Sequence, residues 1–155
     1  MATQTHYIIP GLGKLWEGLG KYAWAILRIA YGAWYIPHGM QKLFGAFSGN
    51  AKFIAGLIAK AWGWEQSTAL TWVYVIGSVE FFGGILLVIG LFTRPVALAF
   101  CIFMYVAAFH FNSLSGYWWT RGGMEMPLIL LAVAIAILLR GGGEYSLDRK
   151  LGREF

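Results

Sequence analysis

Long apolar stretches separated by short polar ones set the pattern of this chain. A helix that crosses the hydrocarbon of a bilayer needs about 20 mostly apolar residues, with some tolerance for tilt. Four stretches reach or approach that length, at residues 23–44, 72–91, 95–111 and 123–139. The pattern predicts an all-α integral membrane protein in which four spans form a four-helix bundle.

The polar flanks divide the rest of the chain into two further parts. Residues 1–22 are predicted to be a polar, interfacial leader, residues 23–140 the transmembrane domain, and residues 141–155 a cytoplasmic tail. The first apolar run is about twenty residues long, longer than the apolar region of a typical secretory signal, so we expect it to be retained. Three glycines from Gly141 onward end the fourth helix, because glycine readily leaves helical geometry.

A shorter amphipathic segment lies between the first two spans. Asn50 is placed to cap a helix, with Lys52, Gly56 and Lys60 on its polar face. Such a pattern is typical of a short helix lying in the plane of the membrane interface. Two interpretations stay open: a plain surface helix, and a lid over the outer end of the bundle. The apolar face comprises Phe53, Ile54, Leu57, Ile58, Ala61 and Trp62.

Composition favours lipid over water. Hydrophobic residues make up 59% of the 155 positions and charged residues 12%, whereas a soluble domain is about a quarter charged. The net charge of +5 does not indicate a nucleic-acid partner, because the basic residues form neither a run nor a helical stripe. They lie mainly at the ends of apolar segments, where they suit membrane lipid headgroups. The single cysteine, Cys101, excludes an internal disulfide.

The basic residues also predict the orientation. In a four-span chain both termini and the second loop share one side, and the side richer in lysine and arginine faces the cytoplasm. Eight basic residues fall on that side and four on the other, so both termini are predicted to be cytoplasmic. The first group is Lys14, Lys21, Arg28, Arg94, Arg140, Arg149, Lys150 and Arg153, and the second is Lys42, Lys52, Lys60 and Arg121.

Of the ionisable residues within the spans or at their ends, five are candidates for a function: Arg28, His38, Glu80, His110 and Glu125. Each costs about 2.5 to 3.5 kcal/mol at the centre of a span, so each needs a reason. At about 1.5 Å per residue, Glu80 lies roughly 12 Å and His38 roughly 9 Å from the outer ends of their spans. His110 and Glu125 lie nearer the boundary on the same side. Four polar residues, one from each span, are therefore predicted to converge on the outer half of the bundle.

Two helix faces are predicted to meet. In the second span Gly77, Gly83 and Gly84 flank Glu80 on one face, and small residues mark where membrane helices approach closely. A stripe of small and hydrogen-bonding residues at spacings of three or four runs along the first span, with His38 at its edge. The stripe comprises Arg28, Tyr31, Gly32, Tyr35, Gly39 and Lys42.

Structural explanations compete with functional ones. Glu80 is equally well explained by an ion pair with Arg28 or Lys42 that holds two helices in register. Arg28 can reach the inner headgroups as an anchor, while His110 and Glu125 can lie in water at the boundary. No two candidate ligands stand three or four residues apart on one helix, so no metal site is predicted.

Three stretches resemble the DoxX family of small bacterial membrane proteins. They are Leu27-Arg28-Ile29-Ala30 through His38-Gly39 to Lys42-Leu43-Phe44-Gly45, then EFFGGILLVIGLFTR from Glu80, and GGGEYSLD from Gly141. The resemblance covers residues 27–148 and implies a four-helix bundle in the bacterial inner membrane. It also implies an association with quinone-linked sulfur oxidation, as a subunit of thiosulfate:quinone oxidoreductase, or with complexes that handle thiol or oxidative stress. Arg28, His38, Lys42 and Glu80 match recurrent polar positions of the family.

These features predict a subunit of a quinone-linked oxidoreductase. Glu80 is expected to relay protons, and His38 or Lys42 to donate to a quinone carbonyl. The chain has no haem, flavin or iron–sulfur motif, so electrons must come from a partner subunit. The alternatives are a non-enzymatic anchor or assembly subunit, in a complex or a homo-oligomer, and a small transporter. The predicted catalytic residues are Glu80 and His38; the predicted quinone-binding residues are Arg28, Tyr35, Lys42, His110 and Glu125, with Trp34 and Trp72 beside the ring.

Overall fold

The computed structural model describes residues 7–153, and residues 1–6 and 154–155 of the predicted leader and tail lie outside the described residues. Every regular element within residues 7–153 is helical, which confirms the all-α prediction. Short 3-10 turns at Ala46–Ser48 and Trp119–Arg121 lie in two of the loops. The helices are α1 (Pro10–Phe44), α2 (Ala51–Trp62), α3 (Gln66–Ile89), α4 (Thr93–Ser115), α5 (Glu125–Arg140) and α6 (Leu147–Leu151).

Two helices have the length and apolarity of membrane spans. They are α3, with 24 residues and a mean hydropathy of 2.0, and α4, with 23 residues and a mean hydropathy of 1.7. Both begin before the predicted spans, at Gln66 and Thr93, because polar side chains outside the hydrocarbon still allow helical hydrogen bonding. Length and apolarity thus make α3 and α4 candidate membrane spans, and the spans predicted within α1 and α5 stay predictions.

The first helix is longer than the apolar run within it. It begins at Pro10, in the segment that the sequence assigns to the leader, and continues through Phe44. Proline is well suited to a first helical position, since its missing N–H has no partner there in any case. The helix therefore extends the first predicted span by thirteen residues beyond its start at Ala23.

Both α3 and α4 contain a wider, π-helical turn. In α3 it spans Val79–Gly83 and in α4 it spans Ala107–Phe111. Such turns insert one residue into an α-helix and are frequent at functional sites. Helix α3 is followed by Gly90, whose left-handed backbone (φ 71°) favours glycine, and α4 has Pro95 in its first turn.

The core is shared by four helices. Helix α1 packs along α3, α4 packs along α5, and α2 packs on the first half of α3. Bulky rings occupy the centre, where Tyr35 and Phe100 have centroids 4.4 Å apart. The buried cluster comprises Tyr31, Tyr35, Leu87, Ala97, Phe100, Met104, Ala134 and Ile137.

The outward faces of the same four helices are apolar. Ile26 on α1, Phe82 on α3, Ile102 on α4 and Ile129 on α5 are each more than half exposed. A soluble monomer rarely exposes so extensive an apolar surface. Contact with lipid explains it, because acyl chains are as apolar as these side chains.

Helix α2 covers the beginning of α3 with part of its predicted apolar face. The Asn50 side chain accepts a hydrogen bond from the Phe53 N–H at 3.0 Å, which confirms the predicted cap. Ala55 and Ile58 are buried against α3, whereas Phe53 and Leu57 remain exposed. The neighbouring helix therefore selects which apolar residues of α2 are buried.

Candidate functional site

A buried ion pair joins α1 to α3. The Lys42 Nζ lies 2.6 Å from the Glu80 Oε2, and the two side chains are 13% and 4% exposed. The same ammonium donates to the His38 carbonyl at 3.4 Å. Of the two partners that the sequence allows for Glu80, the structure selects Lys42 and not Arg28. Across residues 7–153, no other ion pair is found.

Glycines let the two helices approach closely enough to form this pair. A Cβ atom on Gly39 would lie 2.6 Å from the Phe81 Cβ and 2.7 Å from the Gly77 carbonyl oxygen, closer than van der Waals contact allows. The predicted inward faces of α1 and α3 therefore meet, as small residues at a membrane helix contact indicate.

Glu80 sits within the π-helical turn of α3. The extra residue in such a turn displaces the side chains around it relative to a regular helix. Residue composition gave no signal for this turn, so sequence reasoning missed it. The direction of the Glu80 side chain therefore depends on this turn as well as on the position of Glu80 along the helix.

An apolar groove adjoins a smaller cavity that has Lys42 in its lining. The groove, of about 460 Å³, lies between α2, α3 and α4, and Trp62, Trp64 and Trp72 line it. The cavity measures about 200 Å³. Five residues line both spaces, which are together termed the apolar path, and they are Ile58, Trp62, Ile76, Phe103 and Val106.

The two π-helical turns border this path. Val79 lines the groove, and Ala107 and Phe111 line the inner cavity. Trp72 also lines the groove, whereas Trp34 points outward and is 51% exposed. Of the two tryptophans predicted beside the ring, only Trp72 therefore lies next to the path.

Tyr35 is buried deeper in the core than the ion pair. It is 2% exposed, and its hydroxyl lies 3.4 Å from the Tyr31 hydroxyl. Tyr31 in turn donates to the Leu130 carbonyl at 3.1 Å. The two tyrosines connect α1 to α5 and do not line the groove or the cavity that leads to Lys42.

The His38 side chain does not join the ion pair. Its ring lies 5.7 Å from the Trp34 ring on an exposed face of α1, and only its backbone carbonyl contacts Lys42. His38 is at the edge of the inward stripe, as predicted, but α3 does not cover that edge. The structure thus separates the two residues that the sequence assigns to catalysis.

His110 and Glu125 lie in other surroundings. His110 is exposed and borders an outer opening with Trp62, and its carbonyl accepts a hydrogen bond from the Trp62 indole at 3.0 Å. The Glu125 carboxylate accepts from the Trp119 N–H at 3.1 Å and so closes the loop before α5. Neither residue contacts the ion pair, and residues 7–153 contain no group of three metal-ligating side chains.

Arg28 lies near the middle of α1, fourteen residues before Lys42 and thus about 21 Å away along the helix. It is fully buried and donates to three carbonyls: Leu87, Val88 at 3.1 Å and Tyr145 at 2.7 Å. The sequence groups Arg28 with the quinone-binding residues. The structure instead places it between α3 and the folded tail, apart from the cluster, where carbonyls accept from both terminal nitrogens while the buried Nε has no hydrogen-bond partner among the described residues.

The tail folds back onto the helices. The two Asp148 carboxylate oxygens accept from the Phe92 N–H at 2.8 Å and the Thr93 N–H at 2.9 Å, at the start of α4. A carboxylate at the start of a helix accepts hydrogen bonds from N–H groups that have no acceptor within the helix, and its negative charge interacts favourably with the helix dipole. The sequence analysis did not predict this contact, although Asp148 is the last residue of the tail motif GGGEYSLD.

Comparisons with known proteins agree with the geometry of a helical membrane protein. The DoxX family model matches residues 23–113. An uncharacterized Haemophilus influenzae protein is 33% identical over 51% of this chain and 52% of its own length, so the chain spans about half of it. A second one is 29% identical over 86% and 94%. A Bacillus subtilis protein named "Putative oxidoreductase CatD" is 28% identical over 79% and 82%. No solved structure gives a significant match.

Proposed function

The chain belongs to the DoxX family of membrane proteins, and from that membership we propose that it is a subunit of a quinone-linked membrane oxidoreductase. The oxidoreductase name of one relative supports this class of activity. We place it in the bacterial inner membrane as a four-helix bundle of α1, α3, α4 and α5. Both termini then lie in the cytoplasm, and α2 lies in the outer interface.

The observation that carries the proposal is a buried ion pair whose lysine, Lys42, lines a cavity that adjoins an apolar groove. A lipid quinone combines an apolar tail with carbonyl oxygens that accept hydrogen bonds. The groove lined by Trp72 suits the tail, and Lys42 in the lining of the adjoining cavity suits a carbonyl. The donor set and the apolar walls thus fit the two parts of such a molecule.

Bound at this site, a quinone supplies an acceptor for two electrons and two protons. Lys42 holds protons at its Nζ and orients a carbonyl by donating to it. Glu80 holds that ammonium in place and, in the relay that the proposal requires, passes a proton to Lys42 to replace the one that Lys42 gives to the carbonyl. The electrons enter from a partner subunit that oxidises either thiosulfate or a thiol compound.

The competing proposal is a non-enzymatic anchor in which the ion pair only holds α1 and α3 in register. The close contact of the pair, 2.6 Å, is compatible with that role. Removing both charges separates the two proposals, because replacing a whole buried pair costs far less stability than removing one partner.

The deciding experiment compares the double variant Lys42→Met/Glu80→Gln with the wild type, both purified with native lipids. We expect the variant to stay folded, shown by an unchanged thermal midpoint, and to lose bound quinone as measured by mass spectrometry. The control is Lys60→Met/Glu65→Gln, which makes the same charge changes at exposed positions. Full quinone occupancy in the folded Lys42/Glu80 variant would establish the anchor instead.

Glu80→Gln alone tests the proton relay. It keeps the shape of the side chain and a hydrogen-bonding group for Lys42. We expect quinone-dependent turnover with the partner to fall by about 10²-fold or more, within the range typical of a positioned acid or base. Turnover at the wild-type rate in folded protein would remove Glu80 from the relay.

A further inference from the structure

We propose that the molecule binds a phosphate group of an anionic phospholipid headgroup at the end where the tail folds back onto the helices, the end that is predicted to face the cytoplasm. The site is a cavity of about 360 Å³ between the first turns of the apolar part of α1, the end of α5 and the folded tail. Lys21, Arg140 and Arg149 line it, each from a different helix. It is separate from the quinone site, which lies near the other end of α1.

Three cations converge on this cavity from elements that meet only in the folded chain. Lys21 lies on α1, Arg140 is the last residue of α5, and Arg149 lies on α6. Glu144 is the one acidic residue in the lining, so the cavity retains a net positive charge. No carboxylate of residues 7–153 lies within ion-pair distance of the three cations.

Trp24 fixes the wall of the cavity. Its indole N–H donates to the Gly141 carbonyl at 2.9 Å, and its ring lies 4.7 Å below the Arg140 guanidinium. The cation–π contact holds the guanidinium at the cavity instead of leaving it free in solvent. Gly143 has a left-handed backbone (φ 75°) and passes so close to Trp24 that a Cβ atom would lie 2.5 Å from the ring.

The buried contacts of the tail hold the third cation in place. Arg28 and Asp148 attach the tail to α1, to the end of α3 and to the start of α4, and the Ser146 hydroxyl accepts from the Arg149 N–H at 3.1 Å. Arg149 is thereby presented on a short helix that these hydrogen bonds attach to the other helices. The three cationic side chains are themselves exposed, while the elements that carry them are held together by the fold.

The position of the cavity favours a lipid as the source of the phosphate. Beyond Lys21 the exposed side chains of α1 carry no charge as far as Pro37, whereas Lys14, Glu17 and Lys21 interrupt the exposed apolar residues before that point. On α5 the exposed apolar residue Leu139 directly precedes Arg140. Headgroup phosphates lie at such a boundary between polar and apolar surface, where basic side chains and tryptophan are favoured. Guanidinium groups bind phosphate oxygens in pairs, which adds orientation to charge.

The test is native mass spectrometry of the purified full chain, titrated with phosphatidylglycerol or with phosphatidylcholine. We compare the wild type with Lys21→Gln/Arg140→Gln/Arg149→Gln and with a control, Lys14→Gln/Lys150→Gln/Arg153→Gln. The control removes the same charge from the same end of the molecule, outside the cavity. Each cation that contacts the bound phosphate is expected to change the affinity on the order of fivefold, and the three control cations lie outside the cavity and do not contact it.

We therefore expect the wild type and the control to bind phosphatidylglycerol alike, and the cavity variant to bind it on the order of a hundredfold more weakly. The single variant Arg149→Gln, which leaves Trp24 and its contacts intact, is expected to lose about fivefold. Equal binding by the cavity and control variants, or equal binding of phosphatidylcholine, would overturn the proposal. A matched titration with glycerol 3-phosphate separates the sources: binding as tight as that of the lipid would overturn the assignment to lipid.

Discussion

Buried charge in this protein is satisfied by partners of two different kinds. Lys42 and Glu80 neutralise each other, whereas Arg28 is held by carbonyls of α3 and the tail. A carbonyl partner satisfies donors without a second charge, which suits a guanidinium with five N–H groups. The two sites therefore differ in chemistry as well as in position.

Arg28→Lys is expected to lower the free energy of unfolding by roughly 2 to 4 kcal/mol, because one ammonium cannot reach the carbonyls of α3 and of Tyr145 together. Chemical unfolding in detergent measures the change. The control is Arg153→Lys, at an exposed position of the same end, where we expect no change. A loss of bound quinone without any loss of stability would return Arg28 to the quinone-binding residues.

The close packing of helices α1 and α3 creates the candidate site. The two helices meet through glycines, and only that close approach brings the side chains of Lys42 and Glu80 within 2.6 Å. The groove beside them depends on a third element, because α2 supplies Trp62 at the point where the groove meets the cavity.

Gly39→Ala is expected to destabilise the protein by about 1 to 3 kcal/mol, because its methyl group would overlap Phe81 and Gly77 on α3. Thermal unfolding followed by circular dichroism measures the effect. Gly20→Ala on the same helix is the matched control: it has open space around it and should gain about 0.5 to 1 kcal/mol from helix propensity. A stabilising Gly39→Ala would mean that α1 and α3 are not in close contact.

The whole molecule combines an apolar outer surface with a polar closure at one end. Helices α3 and α4 have the length of membrane spans, and α1 and α5 share their core. The tail closes the end where Arg28 and Asp148 lie, so the three glycines from Gly141 onward begin a structural segment and not a free extension.

Reporter fusions test the number of spans. With four spans, a green fluorescent protein fused after residue 155 should fluoresce in the cytoplasm, while alkaline phosphatase inserted after residue 118 should be active outside it. If only α3 and α4 cross the membrane, residues 118 and 155 lie on the same side. A phosphatase that is active at both positions, or at neither, would exclude the four-span arrangement.

The sequence pattern predicted which faces of α1 and α3 form the candidate site. The inward stripe on α1 and the small residues around Glu80 follow from helical spacing, and the structure confirms that these faces meet. His38 shows the limit of that reasoning. Its spacing placed it correctly at the edge of the stripe, but whether a neighbouring helix covers the edge is not encoded in the spacing.

The sequence by itself determined the helical class, the apolar stretches and the helix faces, because these depend on residue type and on the local period of 3.6. Only the tertiary structure decided that Lys42 pairs with Glu80, 38 residues away, and that Arg28 binds Tyr145, 117 residues away. Such choices depend on distances between helices, to which many contacts contribute at once. The groove, the cavities and the folded tail belong to the same category, since each exists only between elements that are remote in sequence.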